Sequence, residues 1–347
     1  MADARADDHA PPGGAQLRDG RLALVLSGGG ARGAFDAGVV AAVHEAGLRP
    51  QVLAGTSAGA LTAAAAAMDW SPDRIRSLWT DQQTRDVYRP RMDVHRLLRP
   101  GRLLADPRTL AGRVLGLGEQ TTTEWLLDLV GWTWLFQLGP LRARLVDTIG
   151  GEVLPLRDDV TLVVSAVDVA TGELVRFANR PPPDRPMDGL RVVEMTVDHL
   201  LASAAIPGLF RPTEIDGREY WDGGLASNTP LAAALQHDPD VAVVVASSVP
   251  SGRPRPPQSL GDVLALAVEH TFRSSILTDL DHARTVNDLV ASGVDTKHRR
   301  VDLVPVTPEE PIRGIGEILD FEPAQARRLV DAGQEAVRVA LGLDTPA

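Results

Sequence analysis

Residues 22–68 read LALVLSGGGARGAFDAGVVAAVHEAGLRPQVLAGTSAGALTAAAAAM, and their order decides the fold class. Leu22 to Leu26 is an unbroken apolar run, as a strand buried on both faces of a parallel sheet requires. It stops at Ser27 and the glycines of GGGARG, residues 28–33. Residues 34–46 then set Val39, Val40 and Val43 at helical spacing, and Gly47 stands where a helix cap is expected. The plan repeats with a strand from Gln51 to Ala54, a turn GTSAG at 55–59 and an alanine-rich helix from Ala60 to Met68. Strand, turn and helix twice in succession give adjacent parallel strands. Both turns then lie at the carboxyl ends of their strands, where open α/β sheets bind ligands.

The second turn has the form of a G-x-S-x-G elbow, which holds a serine on a sharp strand-to-helix bend, ready to attack. Ser57 stands between Gly55 and Gly59, small enough for the backbone to pass close to itself. The helix that follows points its dipole at the hydroxyl and favours negative charge on Oγ. A plain small-residue turn with a serine cap would use the same five residues. The first turn separates two larger readings. Gly28, Gly30 and Gly33 satisfy G-x-G-x-x-G between a strand and a helix, the arrangement of a dinucleotide site. Such a site needs a carboxylate at the end of the next strand, but Val52-Leu53-Ala54 runs into Gly55 without one. The alternative is a nest of N–H groups from Gly28 to Ala31 that holds an oxyanion beside Ser57. Arg32, on the same turn, is expected to pair with a phosphate or with a surface carboxylate.

A serine nucleophile needs a base. Residues 213–225, TEIDGREYWDGGL, read as a hairpin turning at Asp216-Gly217, followed by a second turn that Asp222 leads into Gly223 and Gly224. An ordinary surface turn would have the same form. His237, His270, His282 and His298 follow Asp222, as a hydrolase triad would order them. Their surroundings suit solvated or helix-face histidines better: a polar loop, a helical stretch for two of them, and a basic run.

Together, GGGARG at 28–33, GTSAG at 55–59 and DGG at 222–224 resemble the signature of the patatin-like phospholipase family. ASAAIPGLFRP (Ala202 to Pro212) and LASNTPL (Leu225 to Leu231) resemble it too, and the likeness runs from about Leu22 to Leu235. The resemblance implies an α/β fold, a mainly parallel sheet flanked by helices on both faces, with a helical cap inserted at 69–158. It implies a Ser–Asp dyad without histidine: Ser57 as nucleophile, Asp222 as proton acceptor, and an oxyanion hole from the backbone of Gly28, Gly29 and Gly30. Arg32, Gly33, Gly55, Gly59, Gly223 and Gly224 complete the motifs. The implied reaction is hydrolysis of lipid acyl esters, with no cofactor and no metal. Two other readings stand beside it: a Ser–His–Asp esterase of small soluble esters, and a phosphate- or nucleotide-binding module in which Ser57 only caps a helix.

The chain has 347 residues, 44% of them hydrophobic, which is enough for a large core. It has no cysteine, so disulfides and thiolate metal sites are excluded. Residues 1–20 are polar, acidic and rich in Pro and Gly, and read as a disordered tail rather than a signal peptide. Nothing approaches the roughly 18 consecutive apolar residues of a membrane span, so a soluble, cytoplasmic protein is expected. A net charge of −11 disfavours nucleic acid as a partner. The catalytic domain is expected at 21–236, with 237–345 adding strands and helices that complete it.

Within the cap, residues 85–113 carry eight arginines against three aspartates, a local charge of +5. TTTEWLLDLVGWTWLFQLG follows at 121–139 with three of the six tryptophans. Residues 85–139 therefore offer a peripheral membrane contact, against the slightly favoured alternative of a core-facing helix beside a solvated arginine face. Further on, strands are expected at Val160 to Val167, Leu174 to Ala178, Asp240 to Ala246 and Val301 to Val304. Helices are expected at 72–81, 197–205, 260–291 and 323–341. The last turns Ala326, Leu329, Val330, Gly333, Val337 and Leu341 inward.

Overall fold

The apolar run at 22–26 forms a strand with every residue buried, and the sheet is built outward from it. The computed structural model describes residues 14–91, 133–183, 186–247, 260–294, 298–308 and 319–343. In chain order the strands are β1 (Leu22–Leu26), β2 (Val52–Thr56), β3 (Arg89–Pro90), β4 (Trp134–Gln137), β5 (Thr161–Asp168) and β6 (Leu174–Ala178). They continue with β7 (Leu190–Val192), β8 (Gly208–Phe210), β9 (Thr213–Ile215), β10 (Arg218–Asp222), β11 (Val241–Val245) and β12 (Asp302–Val306). The main sheet runs β12-β11-β1-β2-β5-β10-β9, with β6 on β5 and β7 on β6. Its first five strands are mutually parallel, whereas β10 and β6 run antiparallel to β5. The sheet is mainly parallel, as expected.

Alternation along the strands divides the core into two layers. Leu22, Leu24 and Leu26, with Leu53, Leu162 and Val243, face the helices Gly33–Glu45, Ala58–Ala67, Pro72–Thr80 and Pro323–Leu341. Ala23, Val25, Ala54, Val163 and Val244 face Leu231–Leu235 and the long helix Leu260–Ala291. Helices thus cover both faces, which explains why β1 carries no polar residue.

The register of β5 positions the site. Along one edge, β6 occupies positions 163–167 of β5. On the opposite edge β2 pairs with Thr161 to Ser165, and β10 takes over at Ala166. Thr56 lies against Ser165 and Asp222 against Ala166, so the ends of two strands meet head-on over consecutive residues of β5.

Two segments differ from the sequence reading. Gly14–Asp19, within the expected tail, is a short helix, and its Leu17 is only 4% exposed because it packs into the core. Trp134–Gln137 is a strand rather than helix, paired with Arg89–Pro90 and Gly208–Phe210 in a small second sheet. The pairing partners lie far away in sequence, and Gly139-Pro140 starts a new helix immediately afterwards. Residues 92–132 of the arginine- and tryptophan-rich stretch lie outside the described residues. Among those described, no helix is long and apolar enough to cross a membrane.

The last helix crosses Gly33–Glu45 at two glycines. A Cβ on Gly333 would run into the carbonyl oxygen of Phe35, and one on Gly38 into that of Val330. Alanine at 333 would gain about 1 kcal/mol of helix propensity, but overpacking costs about 1–3 kcal/mol. Gly333→Ala is therefore expected to destabilise the protein, lowering the midpoint of urea unfolding. An unchanged or raised midpoint would show that the crossing has slack.

Candidate active site

Ser57 occupies the bend between β2 and the helix Ala58–Ala67, with φ 54° and ψ −123°. A non-glycine residue is held there only when its surroundings over-determine the backbone. The surroundings are close. A Cβ on Gly59 would strike the carbonyl of Leu26, and one on Gly55 the backbone of Gly59, so neither position accepts a larger residue. The carbonyl of Ser57 accepts from Ala60 N–H at 3.0 Å and starts the helix. Its own N–H donates to Ser203 Oγ at 2.8 Å.

Asp222 closes β10 and is 1% exposed. Its N–H donates to Ala205 O at 2.9 Å, and its Oδ1 accepts from Gly224 N–H at 2.7 Å. Residues 203–205 therefore fasten the backbones of both Ser57 and Asp222. Gly223 packs against Ser165 on β5, where a Cβ would meet the Ser165 carbonyl. Burial is the largest influence on the Asp222 carboxyl and pushes its pKa from 3.8 up to about 7, while the Gly224 N–H and the Ser57 side chain pull it down. Asp222 Oδ2 nevertheless has no well-formed hydrogen bond. The hydroxyl is close enough to be felt by the carboxyl but is not aligned with Oδ2, a common state of such pairs before substrate binds.

The glycine turn lies beside this pair. Gly28 donates its N–H to Asn228 O at 3.1 Å and accepts from Asn228 Nδ2 at 3.3 Å. That corrects one expectation: the Gly28 N–H is already engaged and is not a free donor for an oxyanion. Gly28 is a glycine because a side chain there would strike Asn228 Oδ1 and crowd Ser57 Cβ. The N–H groups of Gly29 and Gly30 have no acceptor among the described residues. Gly30, at φ 58°, lines the same pocket as Ser57. Gly33 begins the next helix with the Trp79 indole packed against it, leaving no room for a Cβ. Arg32 is 1% exposed: its side chain lies inside the protein rather than on the surface.

The pocket opening at Ser57 is walled by Leu61, Trp79, Leu141, Ile206, Phe210 and Phe321. Four histidines were alternatives to Asp222 as base. His237 is buried and feels the charge of Arg21, which precedes β1 at the opposite end of the sheet. His282 and His298 line a separate cleft with Asp238 and Val301, also at that end. They are a strand's length from Ser57, at least about 13 Å. The side chain of His270 lies outside the described residues.

A protein-family model, Patatin-like phospholipase, matches residues 24–235. The chain belongs to the patatin-like phospholipase family. An uncharacterized NTE family protein of Mycobacterium tuberculosis is 28% identical over 274 residues, covering 77% of this patatin-like chain and 60% of that relative. The chain thus spans about 60% of the length of the curated relatives it matches first. A shorter match is to triacylglycerol lipase ptl3 of Schizosaccharomyces pombe, 49% identical over 53 residues, 15% of this chain and 11% of that one. Among solved structures, VipD of Legionella pneumophila superposes with a TM-score of 0.43 at 15% identity, over 93% of this chain and 67% of that one.

Sequence reasoning named Ser57, Asp222 and the glycines but gave no role to Ser203, Ala205 or Asn228. The signal was present in ASAAIPGLFRP and LASNTPL, runs whose small and polar residues form the fastenings of this patatin-like site.

Burial of the Asp222 carboxylate has a cost that the protein itself bears. The folded pKa near 7 exceeds the unfolded 3.8, so the folded state binds the extra proton between these values. The contribution of Asp222 to wild-type stability therefore declines as pH rises from about 4 to about 7, then levels off. Asp222→Asn escapes this loss. Its thermal midpoint should match wild type near pH 3.5 and exceed it at pH 8, with an upper bound on the order of 4 kcal/mol. Parallel curves for the two proteins across that range would show that the carboxylate is not held out of solvent.

Proposed function

We propose that this chain is a lipid acyl hydrolase that cleaves carboxylic ester bonds through Ser57 and Asp222. The observation that carries the reading is the junction over β5, where a strained, nearly buried serine at the mouth of an apolar pocket meets a buried carboxylate with a free oxygen. Ser57 Oγ attacks the acyl carbonyl carbon and its proton passes to Asp222 Oδ2. A carboxylate of ordinary pKa is a weak base for a hydroxyl; one raised to about 7 is better matched, and transfer concerted with attack supplies the rest. The developing oxyanion accepts from Gly29 and Gly30 N–H groups, a type of contact whose single loss costs about 10²–10³ in rate. Collapse expels the alcohol, which takes the proton from Asp222 and leaves an acyl ester on Ser57. Water then attacks this ester while Asp222 accepts its proton; the acid departs and Ser57 is restored.

The apolar walls of the pocket suit an acyl chain, whose burial yields about 0.8 kcal/mol per methylene. Relatives named triacylglycerol lipases in two yeasts support the substrate class. Peripheral contact with a lipid surface through 85–139 belongs to the same proposal; at its described end Arg91 stacks over Trp134 at 4.3 Å and Leu135 is 42% exposed. Of the histidines that follow Asp222, those with described side chains, His237, His282 and His298, lie at the opposite end of the sheet from Ser57, which disfavours the histidine esterase.

Ser57→Ala should abolish hydrolysis of 4-nitrophenyl esters and of phospholipids, and should prevent labelling by a fluorophosphonate. Labelling that persists would place the nucleophile elsewhere. Because only ionised Asp222 accepts the proton, kcat/KM should fall about tenfold per pH unit below about 7. A flat acid limb down to pH 5, or a histidine variant at 237, 282 or 298 as inactive as Asp222→Asn, would remove Asp222 from the role.

A further inference from the structure

The walls of the pocket contain one group that the hydrolysis of a plain acyl chain does not use. Besides Ser57, the polar side chains on it are Trp79 and Gln82. Trp79 is satisfied, since its indole N–H donates to Thr62 Oγ1 at 3.1 Å. Gln82 is 4% exposed, and its carboxamide has no hydrogen-bond partner among the described residues. The side chain is not there by slack in the loop. Asp81 N–H donates to Ser77 O at 3.2 Å, the Asp81 carbonyl accepts from Arg144 at 3.2 Å, and Gln83 N–H donates to Asp86 at 2.9 Å. The backbone is pinned on both sides of Gln82.

A carboxamide offers two donors and an acceptor, and that of Gln82 keeps a narrow opening onto the pocket, where a ligand can reach it. Leucine or methionine would fill nearly the same volume among Val87, Leu141 and Phe321 but could make no such hydrogen bond. A ligand oxygen at this point would find a partner as it leaves water.

Resting on the reading of this pocket as the acyl site, we propose that Gln82 is a specificity-determining residue that selects acyl chains bearing a hydrogen-bonding oxygen, such as a hydroxyl group. An unsubstituted chain fills the pocket but leaves the carboxamide unpaired. A hydroxylated chain brings its oxygen into the pocket at a cost in lost hydration, which the amide offsets.

The test measures binding rather than turnover. Calorimetry on the full chain gives Kd for decanoate and for decanoates hydroxylated at C3, C6 or C10, with wild type and Gln82→Leu. For at least one isomer, affinity relative to decanoate should drop about tenfold or more in the variant, the loss of one well-formed hydrogen bond. Gln82→Leu should also melt close to wild type, because the amide it removes makes no hydrogen bond within the described protein. If it fails to fold, Gln82→Met gives the same comparison. Relative affinities that stay the same for every isomer overturn the proposal, and so does failure of all the acids to bind wild type. Acids that bind selectively to a chain that hydrolyses no ester would support Gln82 and count against the Ser57–Asp222 reading alone.

Discussion

The meeting of two chain ends over Ser165 and Ala166 is the constraint on which the site depends. β2 runs up one edge of β5 and turns away at Ser57; β10 comes down the same edge from the other direction and ends at Asp222. Neither strand can lengthen without displacing the other. Hydrogen-bond register sets their separation, so nucleophile and carboxylate inherit the precision of a sheet rather than that of two loops. This also explains the change of direction within an otherwise parallel sheet: a parallel β10 would bring its amino end to the junction.

Holding Ser57 at φ 54° costs on the order of 1–3 kcal/mol. The fastenings around it outweigh that. The segment from Asp222 to Thr229 passes behind both turns, meeting Thr56 through Ser227 O at 2.9 Å, Gly28 through Asn228, and Ser27 through Thr229 at 2.7 Å. With the bonds to Ser203 and Ala205, at about 0.5–1.5 kcal/mol each, the network exceeds the strain several times over. The sequence runs that resemble family signatures are thus one connected structure, and none of the turns is held by its own residues alone.

Much of this was legible in advance. The apolar runs at 22–26 and 241–245, the elbow glycines and the inward stripe of the last helix follow from local periodicity and steric need, and each lies where the pattern requires. What escaped was set by distant partners. Nothing local to Gly28 says that its N–H will be taken by Asn228, 200 positions later. Arg32 has the composition of a surface residue, and only the packing of the whole layer shows it buried. Trp134–Gln137 is a strand because Gly208–Phe210 lies beside it, a pairing that a Trp-rich apolar window does not announce. The Trp79 wall and the inward Gln82 likewise exist only once Pro72–Thr80 has docked against Gly33.

The position of β1 has a consequence for how the protein is made. Its neighbour β2 follows within thirty residues, but the strand on its other side, β11, pairs Val241 with Leu22. At a synthesis rate of about 5–20 residues per second, that edge waits roughly 10–40 s for its partner. During this interval a fully apolar strand next to the nucleophile's own presents unpaired N–H and C=O groups, a template for pairing with other chains. The arrangement that gives the finished sheet its buried centre makes the nascent chain dependent on being shielded until residue 245 has emerged.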